Sequence, residues 1–184
     1  GRGTAVFQRM FLPETWDGAA GKNILWKTAV PLPGNGSAIV CGRRAFLSGA
    51  DEKRRQVYCF DTDTGKLLWQ QEVPSTPESA KPVKVNEETG WAASTMATNG
   101  RHVAAIFANG DLAAYDFDGK LAWSKSLGIP KNPYGHAASL AVANNVLLVP
   151  MDQGTLRDKL SKLTAIDIDT GKTLWQKDRP VPSS

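Results

Sequence analysis

The sequence predicts an all-β fold built from repeated four-stranded antiparallel units, and three observations support that prediction. The motif DTDTGKLLWQ at residues 61–70 recurs as DFDGKLAWS at 116–124 and as DIDTGKTLWQ at 167–176. Short apolar runs of strand length, separated by Gly and Asp, surround each copy. No stretch keeps apolar residues at helical spacing for three turns, so helices should be scarce.

The chain opens with a segment, residues 1–33, that carries a weaker copy of the motif, GKNILWK. We predict that this segment ends in one outer strand around Trp26 and represents an incomplete unit. From the first residues, GRGTAVF, we expect a processed or trimmed chain.

The first complete unit is predicted over residues 34–73, with the strands SAIVCG, RAFLSG, QVYCFD and KLLWQQEV. A linker loop, 74–89, precedes a second unit at 90–127. The third unit, 128–184, has an insertion, TLRDKLSK, between its second and third strands and ends in a tail. Four-stranded units at this period are the blades of a β-propeller around a central channel. Because propellers use about 4–8 blades, this chain, with about three to four, predicts a partial propeller.

The aspartates and glycines of the motif suit either a calcium loop or a tight turn. Glu72 is the twelfth residue counted from Asp61, as in an EF-hand, but glycine already occupies the fifth position and the flanks are strands. We therefore predict no metal site. The motif instead forms turns, in which an aspartate accepts backbone N–H groups and a glycine supplies positive φ. These residues are Asp61, Gly65, Asp116, Gly119, Asp167 and Gly171.

Each copy of the motif also places a tryptophan two or three residues into the outer strand. A large flat ring at that position can pack against the neighbouring blade, and repeat proteins bury their cores between adjacent units. We predict a structural role for Trp26, Trp69, Trp123 and Trp175.

The composition excludes several classes of protein. With 22 basic and 18 acidic residues, the net charge of +4 is too small to indicate nucleic-acid binding. The two cysteines, Cys41 and Cys59, provide neither a disulfide framework nor a zinc site. The longest apolar stretch, 138–151, is interrupted by two asparagines, and a membrane span needs about 20 apolar residues.

A second repeat precedes the innermost strands, where GNGSA, GWAAS and GHAAS align on their first glycine. In a propeller these positions would ring the mouth of the channel, with Asn35, Trp91 and His136 equivalent to one another. Polar and aromatic side chains on such a scaffold are typical of a pocket rim, although packing variants at loop ends would look the same. The candidate binding residues are Asn35, Trp91, Ser94, His136, Ser139 and Asp152.

Catalytic groups are scarce in this sequence. His102 lies in a strand pattern, His136 has no adjacent nucleophile, and no HExxH, GxSxG or phosphate-binding loop occurs. We therefore predict no catalytic residue. The expected function is that of a scaffold or binding module that recognises protein or carbohydrate at the channel mouth.

Two copies of the motif, TDTGKLLWQ and IDTGKTLWQ, resemble the tryptophan-docking motif of pyrroloquinoline-quinone-type propellers. LPETWDGAAGKNILWKTAVPLPGNGSAIV, NGDLAAYDFDGKLAWSKSLG and YGHAASL resemble the amino-terminal half of the quinone-binding-like repeat proteins of planctomycetes and related bacteria. The resemblance implies a bacterial protein of the periplasm or cell surface, with a ring of seven or eight blades. A second copy, or a missing carboxy-terminal half, would then close the ring.

Quinoprotein dehydrogenases resemble this family too, which implies an alternative function as a fragment of a quinone-dependent oxidoreductase. Those enzymes use a tryptophan platform, calcium-bound pyrroloquinoline quinone and a catalytic aspartate. That full set cannot be mapped onto this sequence, and the adjacent-cysteine disulfide of some members is missing. We therefore expect the fold without the cofactor.

Overall fold

The computed structural model describes residues 13–77, 81 and 83–180. Within these residues the chain forms strands and no helix. The first sheet comprises β1 (Ile39–Cys41), β2 (Arg44–Ala50), β3 (Arg55–Asp61) and β4 (Leu67–Glu72). The second comprises β5 (Ala97–Thr98), β6 (His102–Ile106), β7 (Asp111–Asp116) and β8 (Leu121–Ser126). The third comprises β9 (Ala141–Ala143), β10 (Val146–Met151), β11 (Lys162–Asp167) and β12 (Thr173–Asp178).

Each sheet is an antiparallel meander whose four strands follow one another in chain order. We call the three sheets blades 1, 2 and 3. The predicted all-β fold, a partial propeller of four-stranded antiparallel blades, is confirmed. The residue limits proposed for the blades and the linker stay a prediction.

The two larger core clusters lie between the blades, on both faces of blade 2, and a smaller third cluster lies within blade 1. Alternate side chains of a strand point to opposite faces, and both faces of β7 are buried. Ala113 and Tyr115 pack towards blade 1, whereas Leu112 and Ala114 pack towards blade 3. The first cluster also includes Phe46, Val57, Met96, Val103 and Phe107. The second also includes Ile106, Leu140, Leu147, Val149 and Ile166.

A tryptophan links each unit to the turn of the next one along the chain. Its ring lies against the glycine of that turn, and its indole N–H donates to a backbone carbonyl two or three residues before the glycine. The pairs are Trp26 with Gly65, Trp69 with Gly119, and Trp123 with Gly171. The acceptors are Thr62 at 2.8 Å, Phe117 at 2.9 Å and Ile168 at 2.8 Å.

The turn aspartates hold the loops on which these rings rest. Asp61 Oδ1 accepts the backbone N–H of Asp63 at 3.1 Å and of Thr64 at 2.9 Å. Asp116 and Asp167 accept equivalent bonds in blades 2 and 3. These bonds fix the shape of the turn on which the tryptophan of the preceding unit packs.

A β-bulge precedes each tryptophan of the three blades. In blade 1, Cys59 faces Trp69 while Phe60 faces Leu67, so Leu68 has no partner in the ladder. The same shift recurs in the other two blades, at Ala114/Tyr115 and at Ala165/Ile166. Because a bulge re-aims the side chains that follow it, it directs the indole towards the neighbouring blade.

The strand expected around Trp26 does not form. Residues 24–30 have no strand, and the described residues before β1 contain only an isolated bridge between Asp17 and Lys22. An outer strand pairs with the third strand of its own blade, and no strand precedes Trp26 in the described part of the chain. Docking of the Trp26 ring on blade 1 therefore does not require strand pairing.

A contact between a basic side chain and an aspartate recurs between neighbouring blades at the motif turns. The Arg44 guanidinium of blade 1 lies 3.1 Å from the Asp118 carboxylate of blade 2. His102 occupies the position of Arg44 in blade 2, and its Nδ1 lies 2.8 Å from Asp169 of blade 3. Partial burial raises the pKa of Asp169, but hydrogen bonds from Asn99 and His102 outweigh it and leave the pKa below its ordinary value.

We expect Gly171→Ala to destabilise the protein by about 2 to 3 kcal/mol. The residue has a φ of +73°, which costs an L-residue about 1 to 2 kcal/mol, and its new Cβ would lie 2.6 Å from the Trp123 ring, which adds an overpacking cost. Gly42→Ala is the matched control, because Gly42 has a φ of +59° and open space around it. Urea denaturation should show a cost of only about 1 kcal/mol for the control. Equal costs would contradict the packing role of Gly171.

Candidate ligand-binding surface

Three neighbouring cavities lie at the end of the blades opposite the motif turns. The loops that follow the second strands and those that precede the first strands enclose them. The Trp91 cavity has a volume of about 370 Å³, the middle cavity about 440 Å³ and the His136 cavity about 320 Å³. Val85 and Asn86 line both the Trp91 and the middle cavity, and Asn132 lines both the middle and the His136 cavity. The three cavities therefore adjoin one another across two blade junctions, and we refer to them together as the concave surface.

Two of the predicted candidates, Asn35 and Trp91, line the Trp91 cavity. The Asn35 amide donates to the carbonyl oxygens of Glu88 at 2.9 Å and Thr89 at 2.8 Å, which ties the loop before blade 2 to blade 1. Trp91 is half-buried and packs against the core between these blades. Its carbonyl oxygen accepts the N–H of Ala108 at 3.0 Å.

Two other candidates, Ser94 and His136, contact each other across the junction of blades 2 and 3. His136 Nε2 lies 2.8 Å from the carbonyl oxygen of Pro150, so this nitrogen carries the proton. Nδ1 is then the acceptor and takes the hydroxyl hydrogen of Ser94, whose Oγ is 3.0 Å away. Both residues are buried, at 1% and 3% exposure. The hydroxyl therefore cannot meet a substrate, and the pair orients a buried imidazole.

The last two candidates, Ser139 and Asp152, lie in different surroundings. Ser139 is exposed, and its Oγ accepts the N–H of Thr95 at 3.4 Å. Asp152 lines the His136 cavity and lies 3.4 Å from the Arg179 guanidinium. The structure thus places Asp152 with His136, and Asn35 with Trp91, in two separate cavities.

The expected equivalence of the aligned candidates is wrong. In each sheet, the residues paired with the outer-strand tryptophan across the four strands form one row. The residue of the innermost strand in this row is Ile39 in blade 1, Ala97 in blade 2 and Ala141 in blade 3. Asn35 precedes its row by four residues, Trp91 by six and His136 by five. The loops between the glycine and the strand differ in length, so alignment on the glycine gave a false register. This explains why the three side chains differ in burial.

We expect the free energy of unfolding to fall by roughly 2 to 3 kcal/mol between pH 6.5 and pH 4 because of His136. Burial lowers the pKa of His136 to about 4, and the bond to Pro150 offsets this only in part. Below about pH 6.5 His136 binds a proton in the unfolded chain but stays neutral in the folded chain. The free energy of unfolding therefore falls as the pH falls from about 6.5 to about 4. Urea denaturation at several pH values measures it.

Two variants separate this effect from other titrations. His136→Gln should flatten the decline between pH 6.5 and 4, because it removes the buried imidazole and keeps a donor for Pro150. His102→Gln alters the other histidine and should leave the contribution of His136 in place. A full decline in His136→Gln would contradict the assignment.

A calcium-bound quinone does not fit the described residues. Calcium takes about six to eight oxygen ligands, usually several carboxylates among them. Within residues 13–77, 81 and 83–180, no three Asp, Glu, His or Cys side chains come together as a metal site. Asp51 of the Trp91 cavity already accepts the N–H groups of Lys53 at 2.9 Å and Arg54 at 2.7 Å.

Other residues of this surface were not predicted from the sequence. Asn86, Asn132 and Tyr134 line the cavities, and the N–H of Asn86 donates to the carbonyl oxygen of Pro133 at 3.1 Å. Glu52 and Glu87 add carboxylates to the Trp91 cavity. These residues lie in irregular loops without a repeat pattern, so only their concentration between blades could have indicated a site.

Comparison with known proteins identifies the relatives of this fold. Across the described residues, no helix has the length and apolarity to cross a membrane. A curated relative, the outer membrane protein assembly factor BamB of Moranella endobia (strain PCIT), is 30% identical over 112 residues, or 60% of this chain and 24% of that protein. The chain thus spans about a quarter of the length of this relative.

Two solved structures show the same architecture. BamB from Moraxella catarrhalis aligns with a TM-score of 0.56 and 18% identity, over 83% of this chain and 42% of that one. A quinohemoprotein alcohol dehydrogenase from Pseudomonas putida HK5 aligns with a TM-score of 0.62 and 22% identity, over 83% and 22%. At such identities the likeness shows the fold alone. The family model described as outer membrane protein assembly factor BamB matches residues 18–184, so the chain belongs to that family of quinone-type propeller repeat proteins.

Proposed function

We propose that this chain is a non-catalytic scaffold that binds a protein partner during outer membrane protein assembly. The family match over residues 18–184 carries the proposal, because that family is described as an assembly factor and not as an enzyme. The extracytoplasmic location expected from the sequence agrees with the same match, since outer membrane proteins are assembled outside the cytoplasm.

The concave surface described above is the proposed binding site on this chain. Trp91 is half-buried at one end and Tyr134 is 37% exposed at the other, and aromatic residues are enriched in protein interfaces. Amide and carboxylate side chains accompany both. A groove that crosses two blade junctions suits an extended polypeptide better than a compact sugar, so we favour protein over carbohydrate.

Photo-crosslinking tests this proposal in the natural protein, in the bacterium that produces it. A photoreactive amino acid at position 134 should yield adducts with an outer membrane protein or with a component of its assembly machinery. The control position is Lys66, which is exposed in a motif turn at the opposite end of the strands. Identical adducts at both positions, or none at 134, would refute the proposed surface.

The oxidoreductase alternative receives no support beyond the fold. If purified protein is mixed with pyrroloquinoline quinone and calcium, its melting temperature and the visible absorbance of the quinone should not change. A rise in melting temperature together with turnover of an alcohol or sugar would revive that alternative.

A further inference from the structure

The Trp91 cavity differs from the rest of this protein in its charge. Its lining includes the carboxylates of Asp51, Glu52 and Glu87 and contains no Lys, Arg or His among the described residues. The chain as a whole carries a net charge of +4. The Arg54 guanidinium lies 2.9 Å from Asp51 and offsets that charge, which leaves Glu52 and Glu87 to set the potential of the cavity.

The walls of the cavity are held in place by hydrogen bonds. The loop that carries Glu87 is closed by Gly90, whose N–H donates to the carbonyl oxygen of Asn86 at 2.9 Å. The bonds from the Asn35 side chain, described above, join this loop to blade 1. The backbone N–H of Asn35 also donates to the carbonyl oxygen of Ala92 at 2.9 Å. The carboxylates therefore lie on loops that these hydrogen bonds join to both blades.

Trp91 provides an aromatic wall beside these carboxylates. Trp91 packs against the core between blades 1 and 2 and also lines the cavity. A cation over an aromatic face is attracted by the ring quadrupole, and a guanidinium also stacks on it. Carboxylates beside an aromatic side chain can therefore bind the ammonium group of lysine or the guanidinium group of arginine.

We propose that the Trp91 cavity binds a lysine or arginine side chain of the protein partner, with the methylenes against Trp91 and the cationic head towards Glu52 and Glu87. This inference rests on the proposed scaffold function. A volume of about 370 Å³ is far larger than a single ion needs and suits a long side chain. The middle cavity continues from Asn86, so the backbone of an extended segment has room beside the inserted side chain.

A pair of peptides tests the proposal on the purified chain by heteronuclear NMR. Acetyl-Gly-Gly-Arg-Gly-Gly-amide should shift the Trp91 indole resonance and the backbone resonances of residues 85–91. The same peptide with Glu in place of Arg should leave them unchanged. Equal shifts with both peptides, or shifts confined to other regions, would overturn the proposal.

Charge-matched variants separate this site from general attraction. Glu52→Gln/Glu87→Gln should weaken binding of the arginine peptide at least fivefold. Glu14→Gln/Glu72→Gln removes the same number of charges at exposed positions outside the cavity and should change binding less than twofold. Equal weakening in both variants would show that the peptide follows net charge alone.

The two proposals fail separately. Crosslinks at position 134 without peptide binding would overturn the cavity assignment and leave the scaffold function standing. Peptide binding without crosslinks at position 134 would refute the proposed partner-binding surface, while the Trp91 cavity would still recognise a cationic side chain.

Discussion

Trp123→Ala should lower the free energy of unfolding by about 3 to 5 kcal/mol, whereas Trp175→Ala should cost about 1 kcal/mol. The two tryptophans occupy the same place in blades 2 and 3. Trp123 rests on Gly171 and donates to the carbonyl oxygen of Ile168, so its loss opens a cavity and leaves an acceptor unpaired. Trp175 is 40% exposed, and no further turn follows it in the described residues.

Urea denaturation of both variants, followed by circular dichroism, measures this difference. Residue type, strand position and preceding bulge are the same in the two variants, so the difference reports docking on the next blade. If the two variants lost similar amounts of unfolding free energy, the tryptophan ring would stabilise its own sheet and not the contact with the next blade.

The second large effect concerns the buried ion pair between blades 1 and 2. Arg55 begins β3 and Asp111 begins β7, and Nε lies 3.1 Å from Oδ2 with side-chain exposures of 8% and 1%. The N–H does not point at this oxygen, so the contact is ionic and not a hydrogen bond. The Asn109 amide donates to Asp111 Oδ2 at 2.8 Å, and Arg55 donates to Ser75 Oγ.

Asp111→Ala should therefore cost about 3 to 5 kcal/mol, because it leaves a buried guanidinium without its counter-charge. The double variant Arg55→Met/Asp111→Leu should recover most of that loss, since apolar side chains of similar size need no partner. Asp63→Asn is the control: its ion pair with Arg43, at 2.8 Å, has side chains that are 56% and 71% exposed, and should contribute less than about 1 kcal/mol.

A double-mutant cycle of Arg55→Met, Asp111→Leu and their combination, measured on urea denaturation curves, gives the coupling between Arg55 and Asp111. Two results would contradict a coupled buried pair. One is a loss of unfolding free energy in the double variant that equals the sum of the two single losses. The other is a loss for Asp111→Ala as small as that for Asp63→Asn.

The repeated motif made the architecture predictable. The alternating side chains of QVYCFD and the turn residues around Gly65 were enough to predict the strands. Both signals depend only on residues that are close together in the sequence. The bulge before each tryptophan was not predictable, since Leu68 becomes unpaired only when Cys59 and Trp69 are in register. The missing strand at Trp26 has the same cause, because pairing needs a partner that local sequence does not reveal.

The candidate site was harder to predict for a related reason. His136 follows a glycine just as Asn35 does, yet one is buried and the other exposed. Their surroundings come from loops of different blades, such as the segment with Ser94 that closes over His136. Glu52 and Glu87 are far apart in sequence and line the same cavity only because two blades pack together.

The tryptophan-to-glycine contacts give each blade two different faces, one that donates an indole and one that receives it. The donating face of blade 1 fits blade 2 through the same contact by which blade 2 fits blade 3. A gene duplication that copies a whole number of blades would therefore join correctly at both new boundaries. A series of such blades could lengthen by whole blades through the same contact, whereas side contacts such as Arg44 with Asp118 and His102 with Asp169 differ from one junction to the next.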